Sequence, residues 1–365
     1  MVWYLLNIAI LTIVQLYFVN GEGLRNSSQI RDEREKLGRK LLCIIGTLNW
    51  IVLSGLRGVE VGDDTMSYRA QFLETKTRSW LSLFSDFSAK FFQNKDVKDP
   101  GYYIFVKISQ IFINDYQIFL IIVAAIFFIL MGITIYKYSQ NPYQSFLLFS
   151  TLFYSFFAIT GIRQTIATAI VVFGGIKFIK ERKLIPFLLL FLIAVPIHMS
   201  SICFLPFYFL SRIKINKGTL FGYWVAIGLS YLFRTPFMNF LKNLVGYDDY
   251  EMSEGAGAGT FVFLLLGVAI VATIFYKYIV SHENSFTTIA MNALFIACVF
   301  SSFLLINQNT MRVVQYYSVF LMFLLPEFKN IFKNQFSVNC YKALYAVALV
   351  FLLIQHSPHY EFFWM

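Results

Sequence analysis

The chain has 365 residues, of which 58% are hydrophobic, 19% are aromatic and only 14% are charged. Soluble domains carry about a quarter charged residues, so this composition excludes an ordinary soluble protein and predicts an all-α polytopic membrane protein. The net charge of +10 lies largely in short connecting segments, which is typical of the positive-inside bias of membrane proteins and gives no support to nucleic-acid binding.

The apolar stretches predict about twelve membrane-spanning helices in a single integral-membrane domain over residues 1–365. In chain order, the predicted helices cover residues 2–20, 41–56, 117–136, 145–160, 162–179, 184–197, 200–211, 219–233, 261–280, 287–306, 313–327 and 343–355. The first is interpreted as a retained helix rather than a signal peptide, because no basic residue precedes its apolar stretch.

The basic connecting segments orient the helices. Segments 21–40, 177–183, 212–218 and 328–342 are rich in Lys and Arg and are therefore predicted to be cytoplasmic. An even number of crossings must separate any two of them. Residues 184–211 must consequently leave and return within 28 residues, which predicts a short hairpin with its turn at Pro196–Ser201. Residues 145–179 must form a second hairpin, with its tip near Gly161.

Two longer segments, 57–116 and 234–260, are predicted on the extracytoplasmic side. The first carries the aromatic residues Trp80, Phe84, Phe87, Phe91 and Phe92, and we expect amphipathic helices there that lie on the membrane surface. The second contains EGAGAGT at 254–260, and this glycine-rich stretch predicts a mobile loop and a candidate lid.

Four polar stretches fall at the predicted extracytoplasmic ends of the helices. They are GLRGVEVGDDTMSYRAQF at 55–72, GIRQTIA at 161–167, PIHMSS at 196–201 and NQNTMRVVQYY at 307–317. The candidate site residues that they supply include three arginines, Arg57, Arg163 and Arg312, together with a histidine and two aspartates on one side of the membrane. Arginine binds phosphate oxygens with paired hydrogen bonds, so a cationic site at the lipid interface indicates a lipid that carries phosphate or pyrophosphate.

Each of these residues also has a structural interpretation. Arg57, Arg163 and Arg312 could anchor helix ends by extending toward the membrane surface. Asp64, together with the following threonine, could cap a short helix. A lone histidine such as His198 is more often a structural hydrogen-bonding group than a catalyst, although histidine is the side chain best suited to proton transfer near neutral pH.

The order of the motifs is specific. It runs through Arg57-Gly58, Val61-Gly62-Asp63-Asp64-Thr65, Tyr68, Asp99-Pro100-Gly101-Tyr102-Tyr103, Arg163-Gln164, Ile166-Ala167, His198, Ser200 and Arg312 before an aromatic run. This order resembles the EpsG family of Wzy-like polysaccharide polymerases over roughly residues 40–330. Asp99 stands where that family often has glutamate, a difference that keeps the charge.

The resemblance implies a helical bundle similar to GT-C glycosyltransferases in the bacterial cytoplasmic membrane. It implies an extracytoplasmic enzyme that polymerises oligosaccharide repeat units carried on undecaprenyl pyrophosphate into capsular or exopolysaccharide. Because the donor bond is already activated, neither a nucleotide nor a metal is expected, and no cofactor is implied. A flippase and a chain-length regulator would be partner proteins.

The resemblance also implies roles for individual residues. The implied catalytic residues are Arg163, Arg312, His198, Arg57 and Asp64. Arg163 and Arg312 would bind the pyrophosphate and Arg57 a phosphate or sugar, while His198 is the first candidate for the general base and Asp64 the second. The implied substrate-binding residues are Asp63, Tyr68, Tyr103, Gln164 and Asn309.

Three other functions are compatible with a polytopic chain. A polysaccharide flippase needs charged groups through the depth of the membrane, and the predicted helices hold almost none away from their ends. A membrane acyltransferase that modifies glycans would use arginine and histidine near its first helices, a pattern that this sequence lacks. The third alternative is a non-catalytic partner of the export machinery.

Overall fold

The computed structural model describes residues 1–19, 28–245, 258–280, 285–356 and 359–365. Within these ranges the structure is helical, and the extended pairing is an isolated antiparallel bridge between Arg57 and Phe362. The residue contacts form two compact units. The first unit comprises Met1–Ile202 and Asn339–Met365, and the second comprises Cys203–Val338.

The first unit contains α1 (Val2–Val19), α2 (Ser28–Gly55), α3 (Thr65–Thr77), α4 (Trp80–Phe92), α5 (Pro100–Phe112), α6 (Tyr116–Tyr138), α7 (Pro142–Leu148), α8 (Ile162–Thr168), α9 (Ile176–Lys180) and α10 (Leu184–Ile197). π-helical segments extend α7 and α8 at Phe149–Phe153, Ser155–Thr160 and Ala169–Gly174. The second unit contains α11 (Phe207–Leu210), α12 (Lys217–Leu232), α13 (Arg234–Val245), α14 (Ala258–Ile274), α15 (Tyr276–Ile279), α16 (Ser285–Leu304), α17 (Met311–Ser318) and α18 (Leu321–Leu324). Short 3₁₀ segments lie at Met199–Phe204, Gln308–Thr310 and Leu325–Ile331, and the last helix is α19 (Gln335–His356).

The predicted helices coincide largely with helical segments of the structure, and the multi-pass helical membrane class is confirmed. Among the described residues, five segments are long and apolar enough to cross a membrane, namely Glu33–Gly55, Tyr116–Tyr138, Ile162–Lys180, Phe286–Leu304 and Gln335–Ile354. Shorter apolar helices occupy Val2–Tyr17, Leu184–Ile197, Met199–Leu210 and Gly259–Ile274.

Both predicted breaks in the helices are present. Gly161, with φ −93° and ψ 65°, separates the π-helical segment before it from α8, and its N–H donates to the carbonyl of Phe156 at 3.0 Å. Helix α10 ends at Ile197, one residue after Pro196, and His198 has an extended backbone with φ −155° and ψ 105°. The polar residues Arg163 and His198 therefore both lie at helix ends.

The two long predicted segments also contain helices. Residues 57–116 form α3, α4 and α5, so the helical part of that prediction is confirmed, and α4 leaves Leu81, Phe84 and Phe92 exposed. In 234–260, residues Arg234–Val245 form α13 instead of open loop, because an apolar repeat continues through them. The glycine-rich part of the candidate lid, up to residue 257, lies outside the described residues.

The ends of α2 and α6 show how the first unit is built. In the first half of α2, Arg39 donates to the carbonyls of Tyr136 and Ser139, at 2.7 Å and 2.5 Å, at the end of α6. At the last residue of α2, the carbonyl of Gly55 accepts a hydrogen bond from the amide of Gln117, at the start of α6, at 2.5 Å. The two helices are thus antiparallel neighbours, and the basic start of α2 lies far from residues 55–57.

The C-terminal residues 359–365 pack on the same end of α2. The N–H of Phe363 donates to the carbonyl of Leu56 at 3.0 Å, and the N–H of Gly58 donates to the carbonyl of Glu361 at 2.8 Å. The hydroxyl of Tyr360 donates to the carbonyl of Leu53 at 2.9 Å. The chain terminus and the end of α2 consequently lie on one side of the first unit.

Candidate functional site

The DPGYY motif at 99–103 brings α5 against the end of α10. Asp99 has a left-handed backbone with φ 48° and ψ 54°, and Pro100 occupies the first turn of α5, where a missing N–H costs nothing. At Gly101, an added Cβ would lie 2.5 Å from the Cβ and 2.7 Å from the carbonyl carbon of Pro196. Only glycine permits this approach, and it places Asp99 beside His198.

Through one carboxylate, Asp99 connects its own segment to two others, at Arg163 and at His198-Met199. Its Oδ2 lies 3.1 Å from Nη1 of Arg163 and 3.3 Å from Nδ1 of His198. Its Oδ1 accepts a hydrogen bond from the backbone N–H of Met199 at 3.1 Å. The exposed fractions of Asp99, Arg163 and His198 are 7%, 7% and 6%. We call Asp99, Arg163 and His198 the Asp99 cluster.

The Asp99 carboxylate is ionised within this cluster. Burial raises the pKa of Asp99, but the interaction with His198, the Met199 N–H and the charge of Arg163 together outweigh burial and hold the pKa below its ordinary value. The carboxylate and the guanidinium therefore form a buried pair, in which each group compensates the charge of the other.

The side chain of Arg163 is enclosed by protein and bonded on both terminal nitrogens. Its Nη2 donates to Oε1 of Gln71 at 2.6 Å. Its guanidinium carbon lies 5.7 Å, 5.0 Å and 5.7 Å from the ring centres of Tyr68, Tyr102 and Tyr103, within the range of cation–π attraction. The interpretation of Arg163 as a snorkelling anchor is wrong, because the side chain is buried, paired and stacked.

Several polar atoms around the cluster are able to bind further groups. Four buried atoms have no hydrogen-bond partner among the described residues, namely Nε2 of His198, Nε of Arg163, the hydroxyl of Tyr102 and Oγ of Ser201. Buried polar atoms are normally hydrogen-bonded. Because four such atoms lie on residues in or next to one buried ion pair, this region can bind a ligand rich in hydroxyl or phosphate oxygens.

Arg57 has the contacts of a structural anchor. Its Nη1 donates to the carbonyls of Ser54 and, at 3.2 Å, of Ala158, and its Nε lies 3.4 Å from Oγ1 of Thr65. The side chain is buried, and its backbone pairs with Phe362. Arg57 thereby connects α2 to the π-helical segment Ser155–Thr160 and to α3. A contact of Arg57 with phosphate or sugar remains a prediction.

Asp63 and Asp64 lie at the start of α3. Asp63 is exposed and Asp64 is half-buried. Asp64 occupies the N-cap position that the capping interpretation gives it, but its side chain forms no capping hydrogen bond. The role of Asp63 as a sugar contact and the role of Asp64 as the second candidate base remain predictions.

The other predicted site residues fall into two groups. Tyr68, Tyr103 and Gln164 adjoin the Asp99 cluster, through the two stacked rings and through chain adjacency to Arg163. Arg312 and Asn309 belong to the second unit. Asn309 is exposed in the 3₁₀ segment before α17, and Arg312 is half-buried in the first turn of α17. Their convergence with Arg163 remains a prediction.

A comparison with protein-family models gives one finding. The model described as the EpsG family matches residues 40–364. The chain belongs to the EpsG family. The EpsG family is a Wzy-like family of polymerase type, so membership indicates a membrane protein of polysaccharide biosynthesis. Comparisons of this EpsG-family chain with curated proteins and with solved structures find no match.

Sequence reasoning missed the residues that hold the site of this EpsG-family protein together. Asp99 stands at the centre of the cluster, and Gln71 binds Arg163, yet neither is among the predicted site residues. The DPGYY motif contains a usable signal, since an acid before Pro-Gly is well placed to present its side chain at the start of a helix. Gln71 lies on an ordinary polar helix surface in the sequence, and nothing there distinguishes it.

Proposed function

We propose that this EpsG-family protein polymerises lipid-linked oligosaccharide repeat units on the extracytoplasmic face of the bacterial cytoplasmic membrane. The growing glycan would be transferred from undecaprenyl pyrophosphate to a sugar hydroxyl of another lipid-linked unit. The observation that carries this proposal is the Asp99 cluster, in which a histidine with a buried, unpartnered Nε2 lies beside a buried arginine.

The reaction requires a general base and fixed positive charge from the protein. The bond between the anomeric carbon of the donor sugar and a pyrophosphate oxygen breaks, and a bond to the acceptor oxygen forms. A base must take the proton of the acceptor hydroxyl, and fixed positive charge must stabilise the pyrophosphate that leaves. Because the donor already contains the activated bond, the transfer requires neither a nucleotide nor an obligatory metal.

His198 is the proposed general base. In neutral histidine, one ring nitrogen carries a hydrogen and the other accepts one. With Nδ1 3.3 Å from the ionised carboxylate of Asp99, the hydrogen belongs on Nδ1, and the lone pair of Nε2 is available to the acceptor hydroxyl. Asp64 is the second candidate, and it would act if His198 proved dispensable.

Arg163 is the proposed pyrophosphate contact in the first unit. A guanidinium has five N–H donors, and the hydrogen bonds to Asp99 and Gln71 use two of them. The remaining donors include the buried Nε–H. We propose that Arg312 binds the same pyrophosphate and that Arg57 is a further contact. The proposed sugar contacts are Asp63, Tyr68, Tyr103, Gln164 and Asn309.

The proposed topology has twelve crossings in a bundle of GT-C type. It is supported by the packing of the first unit. Arg39 of the basic segment 21–40 lies in the first half of α2, whereas residues 55–57 lie at its C-terminal end, together with the C-terminal residues 359–365. One crossing by α19 from the basic segment 328–342 leads to that same side. We further propose that α4 and α5 lie on the membrane surface and that a flippase and a chain-length regulator act with the protein.

Deletion of the gene tests the proposed function against its alternatives. A missing polymerase leaves single lipid-linked repeat units on the extracytoplasmic face, and complementation with the wild-type gene restores the polymer. Accumulation of the units on the cytoplasmic face would instead identify a flippase. Polymer of normal length that lacks acyl groups would identify an acyltransferase, and unchanged glycans would contradict all three enzymatic and transport roles.

A further inference from the structure

We infer that Asp99 is a positioning residue that fixes the orientation and tautomer of the His198 imidazole. This inference rests on the proposed function, because it assigns a task to Asp99 in the same proton transfer. Asp99 does not itself need to touch the substrate. Its effect would pass through the contact between its Oδ2 and Nδ1 of His198.

The carboxylate of Asp99 is held rigidly enough for this task. Its backbone has a left-handed conformation, and Gly101, two residues later, packs directly on Pro196. Its Oδ1 is fixed by the N–H of Met199, the residue that follows His198. The segment that carries the histidine therefore also holds the carboxylate, and the two groups are aligned by the same local backbone.

The contact selects one tautomer of His198. A carboxylate can only accept a hydrogen bond, so it requires the hydrogen on Nδ1. The lone pair then resides on Nε2, which is buried and has no partner within the described residues. Without Asp99, the hydrogen could move to Nε2, and the ring could rotate. The wrong tautomer abolishes proton acceptance at the required atom even where the overall geometry is intact.

The net charge of the Asp99 cluster becomes more positive during the glycosyl transfer. Before the reaction, ionised Asp99 and Arg163 compensate each other, and neutral His198 adds no charge. When His198 takes the acceptor proton, the three groups together become positive by one unit. This positive charge develops as the pyrophosphate leaves with its negative charge, and the carboxylate stabilises the new imidazolium.

Asp99 also binds Arg163, so the experiment must separate the two connections. Five proteins are purified in lipid nanodiscs, namely wild type, Asp99→Asn, Asp99→Glu, His198→Gln and the double variant Asp99→Asn/His198→Gln. Initial polymerisation rates are measured on lipid-linked repeat units, and the folded fraction is measured in parallel. Asp86→Asn is the matched control, since it breaks a different arginine–aspartate pair, between Asp86 on α4 and Arg78 at the end of α3.

We expect Asp99→Asn to lower kcat about 10²–10⁴-fold while KM changes only a few-fold, and Asp99→Glu to recover part of the rate. The double variant should be no slower than His198→Gln alone, because groups that act as a unit are not additive. Asp86→Asn should stay close to wild type. If the rate losses of the two single variants multiply in the double variant, the inference is overturned and the proposed function stands. The same holds if Asp99→Asn keeps wild-type kcat while His198→Gln is inactive. If folded wild type forms no polymer, the proposed function fails.

A second measurement does not depend on the folding of the Asp99 variants. Nitrogen-15 NMR of wild-type protein labelled at its 4 histidines reports the tautomer of each ring, and the His198 signal is assigned by its absence from the His198→Gln spectrum. We expect hydrogen on Nδ1 of neutral His198. Hydrogen on Nε2 would overturn the positioning role directly.

Discussion

Replacement of Gly101 by alanine should separate His198 from Asp99 without touching either side chain. The new Cβ would lie 2.5 Å from the Cβ of Pro196, whereas carbon atoms in contact are about 3.5–4.0 Å apart. The start of α5 and the end of α10 must therefore separate by about 1 Å. The Nδ1–Oδ2 distance of 3.3 Å would then reach about 4.3 Å, too long for a hydrogen bond.

We expect Gly101→Ala to lower the polymerisation rate about 10²-fold, since a misplacement of about 1 Å can cost that much. It should also destabilise the protein by about 1–3 kcal/mol, the usual cost of overpacking. Initial rates on lipid-linked repeat units and thermal unfolding measure the two effects.

The matched control is Gly228→Ala on α12, where an added Cβ meets no atom within 4 Å. We expect this variant to be active and at least as stable as wild type, because alanine favours a helix over glycine by about 0.5–1 kcal/mol. Wild-type activity in Gly101→Ala would refute the link between this helix contact and the site.

Arg163→Lys should be nearly as damaging as Arg163→Ala, because an ammonium group cannot reproduce the planar fork of arginine; full activity of the lysine variant at normal protein level would show that charge alone suffices. The lowered pKa of the Asp99 carboxyl gives stability that is present above about pH 4, the ordinary value, and is lost only as the pH falls through the lowered one, so the contribution of Asp99 to thermal stability should be level from pH 5 to 7. In intact cells of a cysteine-free background, an impermeant thiol reagent should label a cysteine at Asn94 and not one at Lys36, and the reverse pattern would contradict the topology.

The helix pattern and its two breaks could be predicted because their causes are local. Apolar length and basic connecting segments define the helices, and the parity of crossings forces turns near Gly161 and His198. The structure has helix ends at both positions. The same reasoning places Arg163 and His198 on one side, and they do meet through Asp99.

The contacts within the site could not be predicted, because they depend on tertiary approach. The left-handed backbone of Asp99 and the packing of Gly101 on Pro196 join segments that are about a hundred residues apart, and no periodicity in the sequence reports such a pair. The partners of Arg57 were equally hidden, since Phe362 lies at the opposite end of the chain.

The most direct test of the proposed activity is polymerisation by the purified protein in nanodiscs that contain only lipid-linked repeat units, with a metal chelator and without nucleotide. We expect a ladder of glycans that increase by one repeat unit, and the release of one lipid pyrophosphate for each bond formed. Repeat units that stay unchanged under these conditions, or that polymerise only when a metal or a nucleotide sugar is added, would contradict the proposed reaction.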